Sequence, residues 1–311
     1  MSNNRPPVKY ELALLLVVLI WGINFPLVKY ALDYVAPLTF NAFRFSISVA
    51  FLALLLVHER VRTRVRPAKR RFRWLSLLGL GLLGHFAYQV FFILGLDLTT
   101  AGICAFLIST SPIWTATVAT IMGSDRLTSR AWLGLAIAFA GASTLVFGRT
   151  GFDLTDATLL GNTVSFLAAI AWGCFTAMSR PHLDDHSAIG LAFWTMLAAL
   201  PFLWAVAIPA PDAFAGMDDP IVWLVLAYSG VLSTGVAYIL WNVGIRYVGP
   251  AHTSVFANLV PVVAFGIGVV WLGESGTIFE LVGAGSILVG LYLMRRSRAG
   301  RNTVVTRPVS R

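Results

Sequence analysis

Charged residues make up only 12% of this 311-residue chain, about half the usual share of a soluble domain. Acids are the scarcer sign, with 14 Asp and Glu against 23 Lys and Arg. Hydrophobic residues reach 58% and the mean hydropathy is +0.79. Together these exclude a disordered, collagen-like or disulfide-stapled chain. They also argue against an ordinary soluble enzyme. Cysteine is nearly absent: Cys104 and Cys174 stand alone inside apolar runs, so neither a disulfide framework nor a metal spacing is present. No G-x-x-x-x-G-K-[ST] motif occurs, so the chain holds no P-loop for ATP. The first apolar run follows Lys9 without a small-x-small cleavage site and reads as a permanent span rather than a leader.

What the chain does have is long apolar runs. A membrane-crossing helix needs about 20 mostly apolar residues. Ten stretches qualify: 11–31, 38–57, 74–96, 100–122, 131–148, 160–179, 187–208, 220–243, 251–272 and 278–294. Lys and Arg fall between them in a biased way. With the N-terminus in the cytoplasm, 20 of the 23 basic residues lie on the cytoplasmic side, eight of them between Arg60 and Arg73. The outer connection 209–219 instead carries Asp212, Asp218 and Asp219. The positive-inside rule therefore predicts a multi-pass inner-membrane protein with both termini cytoplasmic. It also makes lipid, not nucleic acid, the partner of the basic run 60–73.

The chain repeats itself. An offset of 149 pairs Gly95 with Gly244, Pro112 with Pro261, Asp125 with Glu274, Gly134 with Gly283 and Gly141 with Gly290. Trp21-Gly22 pairs with Trp172-Gly173 at offset 151. The expected fold is an all-α integral membrane protein of ten transmembrane helices in two inverted five-helix repeats. Its parts are residues 1–150, residues 151–298 and a basic cytoplasmic tail 299–311. An odd number of spans per repeat makes the halves insert with opposite orientation, as in many secondary transporters.

The segment from Leu96 to Leu127, with T-T-A-G, S-P and G-S-D-R-L, resembles the first repeat of EamA-type transporters. The run R-Y-V-G-P-A-H-T-S-V-F-A-N-L-V-P-V-V with W-L-G-E (246–263 and 271–274) resembles their second repeat. These transporters form part of the drug/metabolite transporter superfamily, and the resemblance spans roughly residues 11–294. It implies ten spans, cytoplasmic ends and export of small metabolites such as amino acids. The chain is accordingly expected to be a carrier rather than an enzyme, and no cofactor is expected. One departure is Gly123-Ser124-Asp125, where the family more often has G-E; a carboxylate remains.

Polar groups in mid-span are the candidate substrate contacts, because they are costly in a bilayer. His85, Tyr88, Gln89 and Phe92 stand at i, i+3, i+4 and i+7, which puts them on one face of an α-helix. Thr234, Tyr238 and Trp241 match His85, Gln89 and Phe92 in the second half. Trp21 and Trp172 sit near mid-span, where paired rings can hold an ammonium by cation–π attraction. Asn24 adds a polar group to the first span. Ser109 and Asn258 precede the matched Pro112 and Pro261, each of which frees a backbone carbonyl. The expected substrate site is thus Trp21, Asn24, His85, Tyr88, Gln89, Ser109, Trp172, Tyr238, Trp241 and Asn258, aromatic and nearly neutral, with no metal. The competing accounts are core packing for Trp21 and Trp172, an interhelical hydrogen-bond pair for His85 and Gln89, an interfacial belt position for Trp241, and helix repair for Ser109 and Asn258. Arg44 can pair with a substrate carboxylate bidentately or snorkel toward the outer interface; its place near the outer end of its span favours snorkelling. Asp125 and Glu274 read as loop tethers, and His182 to His186 as a solvated loop. The alternative substrates are sugar phosphates or nucleotide sugars, which would want several cavity cations. A membrane-embedded lipid-modifying enzyme would need clustered Asp, His or Cys at an interface, and none is apparent.

Overall fold

The computed structural model describes residues 8–63, 74–99, 101–125, 127–150, 156–209, 214–263, 266 and 278–299. Every regular element among them is helical. That is the expected outcome for such a chain, since a helix satisfies its own backbone groups where no water can. The elements are α1 (Val8–Leu32), α2 (Pro37–Thr63), α3 (Trp74–Gly81), α4 (Tyr88–Leu98), α5 (Ala101–Ile108), α6 (Ser111–Ile121) and α7 (Ser129–Thr150). Then come α8 (Asp156–His182), α9 (Ala188–Ala207), α10 (Pro220–Ala227), α11 (Ala237–Tyr247), α12 (Pro250–Val255) and α13 (Ile278–Ala299).

Seven helical stretches among the described residues are long and apolar enough to cross a membrane. They are Val8–Leu32, Pro37–Val61, Trp74–Leu98, Ile103–Ile121, Leu159–His182, Ala188–Ala207 and Pro220–Tyr247. Large apolar side chains such as Leu12, Leu54, Leu75 and Leu224 face outward, as a lipid solvent permits. The chain is a multi-pass membrane protein. Helices α7 and α13 coincide with the expected fifth and tenth spans. The expected ninth span, 251–272, is described only to 263 and at 266, and both Glu274 and the core of the basic run lie outside the described residues.

Two departures from plain α-helix matter for the site. Between α3 and α4, Leu82–Ala87 forms a π-helical turn, and the Tyr88 N–H donates to Leu83 O. Between α10 and α11, Tyr228–Val236 does the same, and the Ala237 N–H donates to Leu232 O. These two five-residue bonds are matched at offset 149. A wide turn leaves its carbonyls poorly served within the helix. The Ser48 hydroxyl donates to Gly230 O at 2.6 Å, and Thr234 donates to it at 3.1 Å.

Glycines set the helix approaches. A methyl placed on Gly134 would lie 2.7 Å from Gly290 O, and one on Gly141 would lie 2.7 Å from Gly283 O. Helices α7 and α13 therefore cross antiparallel with their backbones in contact, the small-residue packing of membrane helices. Gly22 meets Val263 and Val260, while Gly173 meets Trp114 and Ser111. Gly95 meets Ser165, while Gly244 meets Leu14. Gly81 meets the backbone of Thr195, while Gly230 meets that of Arg44.

Candidate functional site

Where α1, the second halves of the broken helices and α8 converge, a cavity of about 50 Å³ remains. A pocket for a drug-sized ligand takes roughly 300 Å³ or more, so this cavity is smaller than such a ligand needs. Seven of the ten expected residues line it: Trp21, Asn24, Tyr88, Gln89, Ser109, Trp172 and Tyr238. The rings form one cluster. Trp21 and Trp172 meet edge-on with centroids 5.6 Å apart, and Tyr88 lies 4.8 Å from Trp172. Tyr238 lies 6.1 Å from Trp21 and 5.3 Å from Trp172. The Trp21 indole N–H donates to Ser233 O in the second π turn at 3.0 Å. A mid-span indole thus finds its acceptor in a carbonyl that the wide turn leaves available. Gln89 Nε2 donates to the Tyr238 hydroxyl at 2.7 Å, so these two repeat-matched residues touch each other.

The other three expected residues stand behind the wall. Trp241 is buried, donates to Thr176 Oγ1 at 3.3 Å and supports Trp21 from 5.0 Å. Asn258 is buried in the 3-10 turn Phe256–Leu259, and both its side-chain polar atoms lack a partner. His85 packs against Phe175 at 4.8 Å and its Nε2 bonds Thr195 Oγ1 at 2.8 Å. His85 therefore faces α9, while Tyr88, Gln89 and Phe92 line the cavity. Its counterpart Thr234, inside the matched π turn, does line the cavity, so the turn alone does not set the difference. Ser109 repairs the break before Pro112, its hydroxyl donating to Phe106 O at 2.6 Å.

Arg44 is a correction. It does not snorkel: it is 1% exposed and lines the cavity. Its Nη2 donates to Asn41 Oδ1 and to Gln89 Oε1, each at 2.5 Å, and Nη1 donates to Ser229 Oγ at 3.3 Å. Phe40 and Phe45 flank the guanidinium with centroids at 5.8 and 5.7 Å. The cavity is therefore not nearly neutral. A signal was present in the sequence. Asn41, Arg44 and Ser48 share one helix face, and a polar stripe of that kind points inward, not to lipid. Phe25, Phe92, Ser233, Thr234 and Val260 are also among the lining residues, without having been singled out as site residues.

Away from the cavity, the Lys29 ammonium donates to the carbonyls of Leu96 at 2.7 Å and Asp97 at 3.1 Å, which caps the end of α4. Asp125 lies 3.8 Å from the imidazole of His252, a contact between the α6–α7 connection and α12. His182 bonds Ser76 Oγ at 2.8 Å.

A small cavity walled by aromatic and polar side chains, within a multi-pass helical membrane protein, suits a protein that handles a small molecule. The chain belongs to the EamA-like transporter family, whose model matches it twice, over residues 8–147 and again over 159–296. It is a transporter and not an enzyme. It is 27% identical to a probable amino-acid metabolite efflux pump of Escherichia coli (strain K12), over 90% of this chain and 92% of that one. It is also 27% identical to a probable terminal-alkyne amino-acid exporter of Streptantibioticus cattleyicolor, over 95% of this chain and 96% of that one. The uncharacterized transporter YyaM of Bacillus subtilis (strain 168) is 27% identical over 87% of this chain and 88% of its own. A solved crystal structure superposes with a TM-score of 0.75 at 19% identity, covering 92% of this chain. That likeness speaks for the fold alone.

Proposed function

We propose that the chain is a secondary transporter that exports small amphipathic metabolites, amino acids foremost, by alternating access around the aromatic cavity. Ten spans form two inverted halves, residues 1–150 and 151–298, with both termini and the tail 299–311 on the cytoplasmic side of the inner membrane.

The observation that carries the reading is that contacts swap under the repeat. Shift Gly134 and Gly290 by the offset of 149 in opposite directions, and Gly283 and Gly141 result, which also touch. The pair Gly22 with Val263 becomes Gly173 with Trp114, and Gly95 with Ser165 becomes Gly244 with Leu14. Trp21 meets its own counterpart Trp172, and Gln89 meets its counterpart Tyr238. Such exchange is what a two-fold axis between the halves produces. An axis in the membrane plane makes inward-open and outward-open packings near-equivalent, which is the physical basis of alternating access. The substrate lies on the axis, between the paired rings.

The amino-acid reading is supported by the names of two relatives, an amino-acid metabolite efflux pump and an amino-acid exporter. A sugar-phosphate exchanger would want several cavity cations, and among the described lining residues Arg44 is the one. With no P-loop, uphill export draws on a gradient or a partner.

Counterflow in proteoliposomes tests the proposal. Vesicles loaded with unlabelled amino acids are expected to accumulate the labelled form without ATP. Exchange of a phosphorylated metabolite and of no amino acid would replace the amino-acid reading.

A further inference from the structure

Arg44 is a cation in the wrong company. A charged side chain within a span pairs with an opposite charge or costs several kcal/mol. Its three hydrogen-bond partners, Asn41, Gln89 and Ser229, are all neutral. No Asp or Glu is among the described residues that line the cavity. A guanidinium carries five N–H donors, and three are engaged. Nε is buried with no partner. Gln89 is in turn held by Tyr238, so Arg44 is fixed in position with its charge unpaired and donors free among the described residues.

A second unpartnered atom lines the same cavity. Asn24 Oδ1 is buried and accepts no hydrogen bond. Asn24 stands one helical turn from Trp21 on α1, and both line the cavity with Trp172. The cavity thus offers a cation with spare donors from α2, and from α1 and α8 an unused acceptor with electron-rich rings.

From this we infer that Arg44 binds the substrate's carboxylate, and that Asn24 with the Trp21 ring takes its ammonium, so that the carrier selects net-neutral zwitterions. A carboxylate is the ligand that neutralises a guanidinium and can take two of its donors at once. An ammonium donates to the amide oxygen and is attracted to the indole faces. The inference rests on the transport reading above and narrows it. A compound with an ammonium but no free carboxylate brings a second positive charge toward Arg44 and leaves its donors unused.

The test is competition in counterflow with three acid and ester pairs: L-alanine, L-leucine and L-phenylalanine, each with its methyl ester, and glycerol 3-phosphate as a further competitor. For the wild type, the acids are expected to compete roughly 10–100-fold better than their esters, the range of a charge-assisted hydrogen bond. Arg44→Gln, checked for a monodisperse folded peak, is expected to lose acid competition and bring each pair to about parity. Arg44→Lys keeps the charge but not the fork, and should retain part of the preference. The wild-type ratio and the lysine variant keep the test decisive should the glutamine variant not fold. Equal competition by acid and ester in the wild type, or an unchanged preference in Arg44→Gln, would overturn the assignment and leave amino-acid export standing. Competition by glycerol 3-phosphate with none from either form of any amino acid would overturn both.

Discussion

Gly173→Ala is expected to lower transport at least about tenfold and to reduce folded yield, while Gly79→Ala changes neither. A methyl at position 173 would stand 2.7 Å from Ser111 O, 3.0 Å from the Thr115 nitrogen and 2.5 Å from Trp114 Cβ. Two of these are backbone atoms, so relief requires α6 and α8 to separate. Overpacking of a well-filled contact costs about 1–3 kcal/mol or more. Separation here would also move Trp172, the next residue, out of the ring cluster. At Gly79 a methyl meets nothing within 4 Å, and alanine is the better helix former by about 1 kcal/mol. Gly22→Ala should fall between them, because its obstacle is the Val263 side chain, which can yield more than backbone can. Thermal unfolding in detergent and counterflow, measured on all three variants, give the order. Indifference at position 173 would mean that the two halves do not pack as described.

The second large effect is expected at Trp172. Its ring is buried and touches five others: Trp21 at 5.6 Å, Tyr88 at 4.8 Å, Phe175 at 5.3 Å, Tyr238 at 5.3 Å and Trp241 at 5.6 Å. Truncating a large buried aromatic costs about 3–5 kcal/mol. Trp172→Ala should therefore destabilise the fold and abolish transport together. Trp172→Phe keeps an aromatic face with a smaller void, and should retain part of the transport at a modest loss of stability. Trp21→Ala is expected to separate the two readouts. Trp21 is only partly buried at the cavity wall, so its loss costs less stability. It still removes a ring face and the hydrogen bond to Ser233 O. If Trp21→Ala transports normally, the rings are packing and not a binding surface.

Much of this site was readable from the residues. Tryptophan at positions 21 and 172 was informative because a mid-span indole needs an acceptor and an inward face, and the two rings do meet. Gln89 and Tyr238 were legible for the same reason, as polar groups at matched positions on apolar helices. His85 misled because the α period carried it onto the face of Tyr88. In the fold Phe175 and Thr195 take it up instead, partners on α8 and α9 that the period of a single span does not reveal. Arg44 was misjudged because its distance from the span end was weighed and its helix face was not. Depth alone cannot distinguish a snorkelling side chain from a buried one, whereas Asn41 and Ser48 beside it can. Asn258 illustrates the limit of matching repeats. Its counterpart Ser109 lines the cavity, and Asn258, in the turn Phe256–Leu259, is not among the lining residues. The frame is symmetric, and the side chains on it are not.

Alternating access around this cavity is tested most directly by a single cysteine at its wall. Ser109→Cys, in a chain with Cys104 and Cys174 replaced by alanine, keeps the size of a side chain that lines the cavity. A membrane-impermeant thiol reagent is then applied to right-side-out and to inside-out vesicles. An alternating carrier exposes position 109 to each side in turn, so labelling is expected from both, slowed in both by a transported amino acid. Labelling from one side only, with the other unreactive whether or not substrate is present, would contradict it.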